Sequence, residues 1–293
     1  MYHEKNLTPF YQRIKNLVSL AKYRFRENKQ RFISIILSIC LIFSLVKVYP
    51  KDLKIYFIDV GQGDSTLIVT PLNKRILIDG GGSEFGDFNV GESTLLPYLL
   101  DRGIKKLDYI ILTHFDLDHV QAAMYVIRNI KVDKVIIPKQ IENSEAYSEF
   151  VSIVKERVID VSIVKSGDRI NIEKDLYFDV LWPNDGEFIT ENAMNNNSIV
   201  CKLRYKNLSV LFTGDIEEIA EEKILELYKN NLNILQSTVL KVAHHGSKSS
   251  SIKEFLDAVK PKFAFIGAGK NNLYGHPASE VIERLYELRC RYL

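Results

Sequence analysis

The stretch Thr113-His114-Phe115-Asp116-Leu117-Asp118-His119-Val120 places two imidazoles and two carboxylates within six residues. A strongly apolar run, 107–112, precedes it, and apolar residues at helical spacing follow it. The four polar side chains therefore occupy a turn between a strand and a helix, where they can converge on one point. This spacing predicts that they divide between two neighbouring metal ions. Imidazole and carboxylate both suit zinc, and carboxylate also suits manganese or magnesium.

A solvated polar turn with two unrelated histidines is the alternative interpretation of this stretch. The other histidines argue against it, because five of the six lie in three short clusters: His114/His119, His244/His245 and His276. Two further carboxylates lie at the ends of apolar runs: Asp79 precedes a glycine, and Asp215 follows one. The His244/His245 pair also ends an apolar run and precedes a glycine. Because α/β folds place their sites just after the carboxyl ends of strands, these groups are expected to meet at a metal site.

Composition is ordinary for a globular protein, with 46% hydrophobic and 26% charged residues among 293. Eight basic and two acidic side chains lie in residues 1–31, so the net charge of +2 leaves −4 for the rest of the chain. Global charge therefore gives no support for strong nucleic-acid binding, which would need a local basic patch. The three cysteines, Cys40, Cys201 and Cys290, indicate neither a disulfide framework nor a cysteine-based zinc site.

Residues 32–46 carry no charge, and the apolar run continues past Lys47 to Tyr49. Its 18 residues lie near the lower limit of about 17–25 for a membrane helix. A buried core helix and a cleaved signal peptide are the alternatives, but the run is not amphipathic and no small-residue cleavage site follows it. We predict a basic cytoplasmic segment (1–31), one transmembrane anchor (32–49) and an extracytoplasmic domain (50–293).

After residue 51 short strands alternate with helices, which predicts an α/β domain of stacked sheets covered by helices. Predicted strands cover 54–60, 65–70, 75–78, 107–112, 134–137, 161–164, 177–182, 199–205, 209–213, 238–243 and 263–266. Predicted helices cover 120–130, 144–156, 217–229, 251–259 and 278–288.

Seven ordered motifs resemble the metallo-β-lactamase fold superfamily and, within it, the C-terminal hydrolase domain of ComEC-type competence proteins. They are FIDVGQGDS (57–65), ILIDGGG (76–82), LTHFDLDH (112–119), NNNSIV (195–200), LFTGDI (211–216), KVAHHGS (241–247) and NNLYGHP (271–277). The similarity covers about residues 53–290. It implies an αβ/βα four-layer sandwich with two metals in a groove at its edge.

The resemblance also implies roles for individual residues. His114 and Asp116 would serve the first metal, Asp118 and His119 the second, and Asp215 would bridge them. One of His244 and His245 would complete the second metal's ligands, and the distance past the strand favours His245. Asp79 and Asn197 would support the ligands, as would three residues of the first motif whose roles the sequence leaves open: Asp59, Gln62 and Asp64. Three residues would be catalytic: Asp118, His276 and Lys241. His276 and Lys241 would face the phosphate or transfer a proton.

Two positions depart from the general superfamily pattern. The second histidine of the usual HxHxDH motif is Asp116, and Asn197 lies about where a further histidine is expected. The first metal position would then be rich in oxygen and weaker for zinc. One or two divalent ions, zinc or manganese, are therefore expected.

The resemblance implies a metal-dependent phosphodiesterase or nuclease that acts on DNA outside the cell. ComEC-type proteins carry a polytopic channel region, whereas this sequence has at most one predicted span, so a separate membrane channel protein is the partner we expect. Hydrolysis of a non-nucleic ester or cell-wall phosphodiester, and a non-catalytic binding module, are the alternatives. A basic groove beside the metals would favour DNA, and a narrow apolar pocket would favour a small ester.

Overall fold

The computed structural model describes residues 8–48, 52–83, 88–139 and 144–293. The chain divides into two compact units, Met1–Lys51 and Asp52–Leu293. In the first unit one long helix, α1 (Thr8–Val48), runs through both the basic segment and the apolar run.

The membrane anchor predicted over 32–49 is not supported. Its last residue, Tyr49, lies outside the described residues. Among the residues that the structure describes, no helix has a stretch that is both long and apolar enough to cross a membrane.

Two mixed sheets form the second unit. The first has the strand order β1-β2-β3-β4-β5-β6, and the second has the order β13-β12-β11-β10-β9-β8-β7. The strands of the first are β1 (Lys54–Phe57), β2 (Thr66–Val69), β3 (Arg75–Ile78), β4 (Lys106–Ile111), β5 (Lys131–Pro138) and β6 (Asp160–Val164). Those of the second are β7 (Arg169–Glu173), β8 (Leu176–Trp182), β9 (Val200–Tyr205), β10 (Leu208–Phe212), β11 (Val239–Lys241), β12 (Phe263–Phe265) and β13 (Arg291–Tyr292).

Helices lie between the strands, and all but the short helix Ala193–Asn196 connect strands that run parallel. They are α2 (Leu96–Asp101), α3 (Leu117–Asn129), α4 (Glu145–Glu156), α5 (Ala193–Asn196), α6 (Glu218–Leu227), α7 (Lys253–Val259) and α8 (Ser279–Glu287). A π-helical turn (Gly91–Leu95) leads into α2, and 3₁₀ turns cover Leu232–Ile234 and Ala243–Gly246.

Successive side chains along each strand point to opposite faces of the sheet, and this alternation creates the layers of the domain. In β3, Ile76 and Ile78 face a core shared by the two sheets, whereas Leu77 faces a separate core with α3 and α4. In β10, Phe212 faces the shared core and Leu211 faces a third core with α6, α7 and α8. Successive side chains of a strand point to opposite faces, so each sheet is buried on both sides. The predicted α/β domain of stacked sheets covered by helices is confirmed.

The parallel strands place the site. β3, β4 and β5 are parallel neighbours in the first sheet, and β10, β11 and β12 are parallel neighbours in the second. Their carboxyl ends carry Asp79, the motif that begins at Thr113, Asp215 and the His244/His245 pair. The segments that bear the predicted ligands therefore share one edge of the sandwich.

Candidate metal centre

The central motif forms the turn between β4 and α3. Asp116 is the N-cap residue of α3, with φ −75° and ψ 146°, and Asp118 and His119 lie in the first helical turn. Phe115 points the other way, into the core, where its ring meets the Tyr147 ring edge-on at 5.1 Å between centroids. Because the Phe115 side chain is buried in the core, the polar side chains of the turn lie at the edge of the sheet.

Four buried side chains form a cluster whose ligand atoms lie within 4.8 Å of one another: Asp64, His119, Asp215 and His245. His119 Nε2 lies 3.2 Å from Asp215 Oδ1, and His245 Nε2 lies 3.0 Å from Asp215 Oδ2. The two imidazole Nε2 atoms are 3.3 Å apart. Asp118 adjoins the cluster, with Oδ2 3.1 Å from His245 Nε2.

Asp79 lies behind two of the imidazoles. His119 Nδ1 donates to Asp79 Oδ2 over 3.1 Å, and the Thr113 hydroxyl donates to the same oxygen over 2.7 Å. Since that hydroxyl proton is used, the contact of 3.0 Å between Thr113 Oγ1 and His114 Nδ1 requires His114 to be the donor. Both rings therefore donate from Nδ1, so Nε2 is the nitrogen left for a metal, the arrangement that metal-binding histidines adopt.

His245 is held in the same orientation from the second sheet. Its Nδ1 donates to the Gly267 carbonyl over 2.7 Å, which again leaves Nε2 facing the cluster. The ring is aimed by unusual backbone, because His244 and His245 have φ of 48° and 55° and Gly246 follows at 79°. Left-handed non-glycine residues cost free energy and concentrate at functional sites.

The Asp64 carboxylate lies on the other side of the His245 ring from Asp118. Asp64 Oδ1 is 3.7 Å from Nδ1, and the second oxygen pairs with the Lys241 ammonium. Burial acts to raise the pKa of Asp64, but the Lys241 charge and the His245 and His119 imidazoles together outweigh it, and the pKa falls to about 2. Because Lys241 already neutralises Asp64, Asp118 is the stronger candidate for a metal ligand beside His245.

The loop that carries Asp64 packs closely on the start of α3. Gly63 has φ +110°, and a Cβ built on it would lie 2.1 Å from the Asp118 carbonyl oxygen. The Asp64 amide donates to that same oxygen over 3.3 Å. This close approach of two backbones explains the glycine.

Three unpaired atoms test whether the residues fit metal ions. His114 Nε2, Asp215 Oδ1 and Asp64 Oδ1 are buried and have no hydrogen-bond partner among the described residues. His114 Nε2 lies 3.6 Å from Asp116 Oδ2, and its ring centroid lies 4.1 Å from that of His119. Buried polar atoms without partners are rare and call for a missing partner. The donor set of imidazole nitrogens and carboxylate oxygens fits divalent cations.

The electrostatics of the cluster favour a positive charge. Burial lowers the pKa of His119 and His245, but the carboxylates, Asp215 first, outweigh burial and hold both pKa values well above the usual range. Burial likewise raises the pKa of Asp215, but the two imidazoles hold it well below its usual range. A buried site of this kind stabilises a cation between its carboxylates.

His244 does not join the cluster. The structure places its Nδ1 3.4 Å from Glu217 Oε1, so His245, the residue favoured from the sequence, is the histidine at this edge. His276 lies close by, with ring centroids 5.6 Å from His244 and 6.2 Å from His245. Its Nδ1 is buried and has no hydrogen-bond partner in the described part of the chain. Burial and then the His244 charge lower the pKa of His276 to about 4, which keeps the ring neutral.

Four other predicted residues lie elsewhere. Lys241 was expected to face a phosphate, but it is buried and bonds Asp64 and the Val242 carbonyl. The Asn197 amide closes its own loop by bonding the Ile189 backbone on both sides, rather than supporting a metal ligand. Asp59 is exposed and accepts from the Gly61 amide, and Gln62 accepts from the Gly269 amide. The motif match identified these positions but could not predict in which direction their side chains point.

Sequence reasoning missed the part that Thr113 plays between Asp79 and His114 and left the place of Asp64 open. A hydroxyl next to the first motif histidine was the signal for Thr113. No local signal shows that Asp64 reaches a histidine 181 positions further along the chain.

Comparison with known proteins agrees with this geometry. A family model described as the metallo-beta-lactamase superfamily matches residues 58–270. "ComE operon protein 3" of Bacillus subtilis is 35% identical over 87% of this chain and 34% of its own length. "Recombination protein 2" of Haemophilus influenzae is 31% identical over 87% of this chain and 29% of its own length. "Competence protein ComA" of Neisseria gonorrhoeae is 27% identical over 78% of this chain and 28% of its own length.

The chain thus spans about a third of the length of these curated relatives. Among solved structures, an E377D mutant of the CmlA beta-hydroxylase superposes with a TM-score of 0.54 at 14% identity, over 83% of this chain and 52% of that one. Igni18 of Ignicoccus hospitalis, described as a metallo hydrolase, superposes with a TM-score of 0.51 at 13% identity, over 82% and 94%. These likenesses show a shared fold. With its family match, its ComEC-type relatives and its histidine- and aspartate-rich edge, the chain belongs to the metallo-beta-lactamase superfamily.

Proposed function

We propose that this chain is a metal-dependent phosphodiesterase that cleaves DNA. The observation that carries the proposal is the pair of buried imidazoles of His119 and His245, each hydrogen-bonded through Nδ1 and each with Nε2 beside the buried Asp215 carboxylate. Membership of a superfamily with metallo-hydrolases supports hydrolysis as the reaction class. The names of the relatives, which refer to competence and recombination, support DNA as the substrate.

Two metal positions follow from the side chains. His119, His245 and Asp118 would hold one ion together with Asp215, whose oxygens contact both imidazoles, and His114 and Asp116 would hold the other. Divalent ions bound there would activate a water for attack and offset negative charge on a phosphodiester. The position at His114 has a single imidazole, so manganese suits it better than zinc, whereas zinc suits the other.

The remaining residues act on the substrate and its protons. His276 is neutral, and its buried Nδ1 has no partner among the described residues, so it can accept a proton or hydrogen-bond to a phosphate oxygen. Lys241 cannot fill that role, because its ammonium is committed to Asp64. Lys248 and Lys270 are exposed and form no ion pair within the described residues, so they are available to a phosphate backbone.

Hydrolysis of a small non-nucleic ester is the second candidate. It is favoured by a cavity of about 210 Å³ beside Asp118 that has mainly apolar walls, among them Phe88 and Val90. A binding module without catalysis is disfavoured, because four buried donors still converge: Asp64, His119, Asp215 and His245.

The location and the protein partner are part of the same proposal. A domain outside the membrane and a separate channel protein remain predictions from the basic segment 1–31 and the apolar run after it. Protease accessibility of the domain in intact cells would test the location.

The test uses the full chain, purified without chelator. We expect elemental analysis to find manganese or zinc, and single-stranded DNA to be cleaved when either ion is added. Asp118→Ala and His119→Ala should each lose metal and at least about 100-fold in rate, because each removes a ligand. Asp101→Ala, at an exposed carboxylate that ends α2, is the control. Bound metal without DNA cleavage would refute the nuclease and favour the small-ester alternative.

A further inference from the structure

A cavity of about 210 Å³ adjoins the candidate metal centre and shares Asp118 with it. Its other walls include Phe88, Val90, Gln62 and Tyr274. Pockets that enclose a drug-sized ligand measure about 300–1,000 Å³, so this cavity suits one ring system rather than a whole oligomer. Nothing in the hydrolytic chemistry of the cluster requires it.

Large apolar side chains surround this cavity and remain exposed. Phe88 is 57% exposed, Tyr274 is 46% exposed and the adjacent Leu273 is 86% exposed. Exposed apolar groups that gather around a concave site mark a surface that binds a partner or ligand. The two aromatic rings supply flat faces to the same cavity, one from each of two loops.

The Tyr274 ring is oriented by its own loop. The Asn272 side chain accepts from the Tyr274 and His276 amides over 3.1 and 3.0 Å and donates to the Gly269 carbonyl over 2.9 Å. The Tyr274 ring stacks on His276, with centroids 5.7 Å apart and planes at 23°. This stack leads from the metal centre to the cavity, and a loop tied in this way presents the ring with little loss of entropy on binding.

Gln62 adds a polar group to the wall. Its Oε1 accepts from the Gly269 amide over 3.1 Å, which directs the rest of the amide. Within the part of the chain that the structure describes, its Nε2 donates to no protein group. A planar ligand with acceptors on its edge would satisfy that nitrogen.

We propose that this cavity holds the base of the nucleotide next to the scissile phosphodiester, stacked on Phe88 and Tyr274 with its edge toward Gln62. The inference rests on the proposed function and names its substrate as a base-bearing, single-stranded phosphodiester. Every base has a π-face, so stacking accepts any sequence, whereas a paired base would first have to leave its helix. An apolar acyl or alkyl group would have no use for Gln62.

The kinetic test compares two substrates that have the same leaving group, thymidine 5′-(4-nitrophenyl phosphate) and methyl 4-nitrophenyl phosphate, with the full chain and manganese. Phe88→Ala and Tyr274→Ala should each raise KM for the thymidine ester about 10-fold, because stacking on one aromatic ring is lost. KM for the methyl ester and the metal content should not change. Tyr274→Phe should restore the wild-type KM. Tyr286→Ala, at a tyrosine of α8 that is 76% exposed, is the matched control.

A binding measurement separates this inference from the proposed function. By calorimetry, the chain should bind tetrathymidylate about 10-fold more tightly than an abasic tetranucleotide, and both alanine variants should lose that difference. Equal binding of the two oligomers, or equal KM changes for both esters, would overturn the base site even if DNA is cleaved. Discrimination between the oligomers without hydrolysis of any phosphodiester would refute the proposed function and leave the base site standing.

Discussion

Asp79 determines which nitrogen two imidazoles present to the cluster. Its Oδ1 accepts from the Thr113 amide over 2.8 Å, and its Oδ2 accepts from both the Thr113 hydroxyl and His119 Nδ1. A carboxylate can only accept hydrogen bonds at neutral pH, so all three partners must donate. One buried side chain therefore sets the tautomers of His114 and His119.

Asp79→Asn should weaken metal binding about 10- to 100-fold without changing the size of the side chain. An amide NH₂ in place of Oδ2 makes His119 accept at Nδ1, which moves its proton to the nitrogen that faces the metal. Calorimetric titration with manganese and zinc measures the affinity. Asp175→Asn, at an exposed residue in the turn between β7 and β8, controls for the loss of charge. Unchanged affinity in Asp79→Asn would contradict the tautomer argument.

At the scale of elements, Glu221 connects three helices of the second outer layer. It is fully buried on α6, and its two oxygens accept from the Ser251 and Ile252 amides over 2.7 and 2.8 Å, at the start of α7. Arg284 of α8 donates to the Ser250 and Ser251 carbonyls of the same segment. These bonds satisfy amides that no helical carbonyl can reach.

Burial raises the pKa of Glu221 from 4.5 to about 8. Between pH 4.5 and 8 the folded chain holds a proton that the unfolded chain has released, so this group makes the free energy of unfolding fall as pH rises. The expected slope is about 1.4 kcal/mol per pH unit, and it vanishes below pH 4.5. Urea unfolding of the wild type and Glu221→Gln across this range measures it. The variant should lack this part of the slope; parallel curves would contradict the assignment.

At the scale of the whole molecule, the predicted metal ligands come from both sheets. Asp79 and the central motif belong to the first sheet, whereas Asp215 and His245 belong to the second. The apolar core between the sheets holds these two edges in register. A metal ion bound to both edges would therefore join the two halves of the domain and stabilise the folded state.

Manganese or zinc at about 100 times its dissociation constant should raise the free energy of unfolding by about 2.7 kcal/mol, because the unfolded chain lacks the assembled site. Chelator should remove the gain. Asp215→Asn, which alters the carboxylate that contacts both His119 and His245, should abolish most of it, whereas Asp101→Asn should keep it. Denaturant titration with and without metal gives the difference, and an equal gain in both variants would place the ion elsewhere.

Much of the element pattern was readable from local sequence. The predicted strand 75–78 coincides with β3, and the predicted helix 144–156 differs from α4 only by its N-cap, Ser144, whose hydroxyl accepts from the Tyr147 amide. Period-two and helical patterns report which face of a segment is buried, so they work for such segments. α2, α5, β7 and β13 were not predicted from the sequence.

The sequence by itself determined the family, the α/β class and the strand ends at which the predicted ligands lie, because motifs and periodicity are local properties of the chain. Only the tertiary structure decided that His245 rather than His244 meets His119, that Asp64 lies behind His245 and that Lys241 is buried against Asp64. These contacts join positions more than 100 residues apart across two sheets. Their geometry depends on how the sheets pack and on the left-handed backbone after β11, neither of which a local pattern encodes.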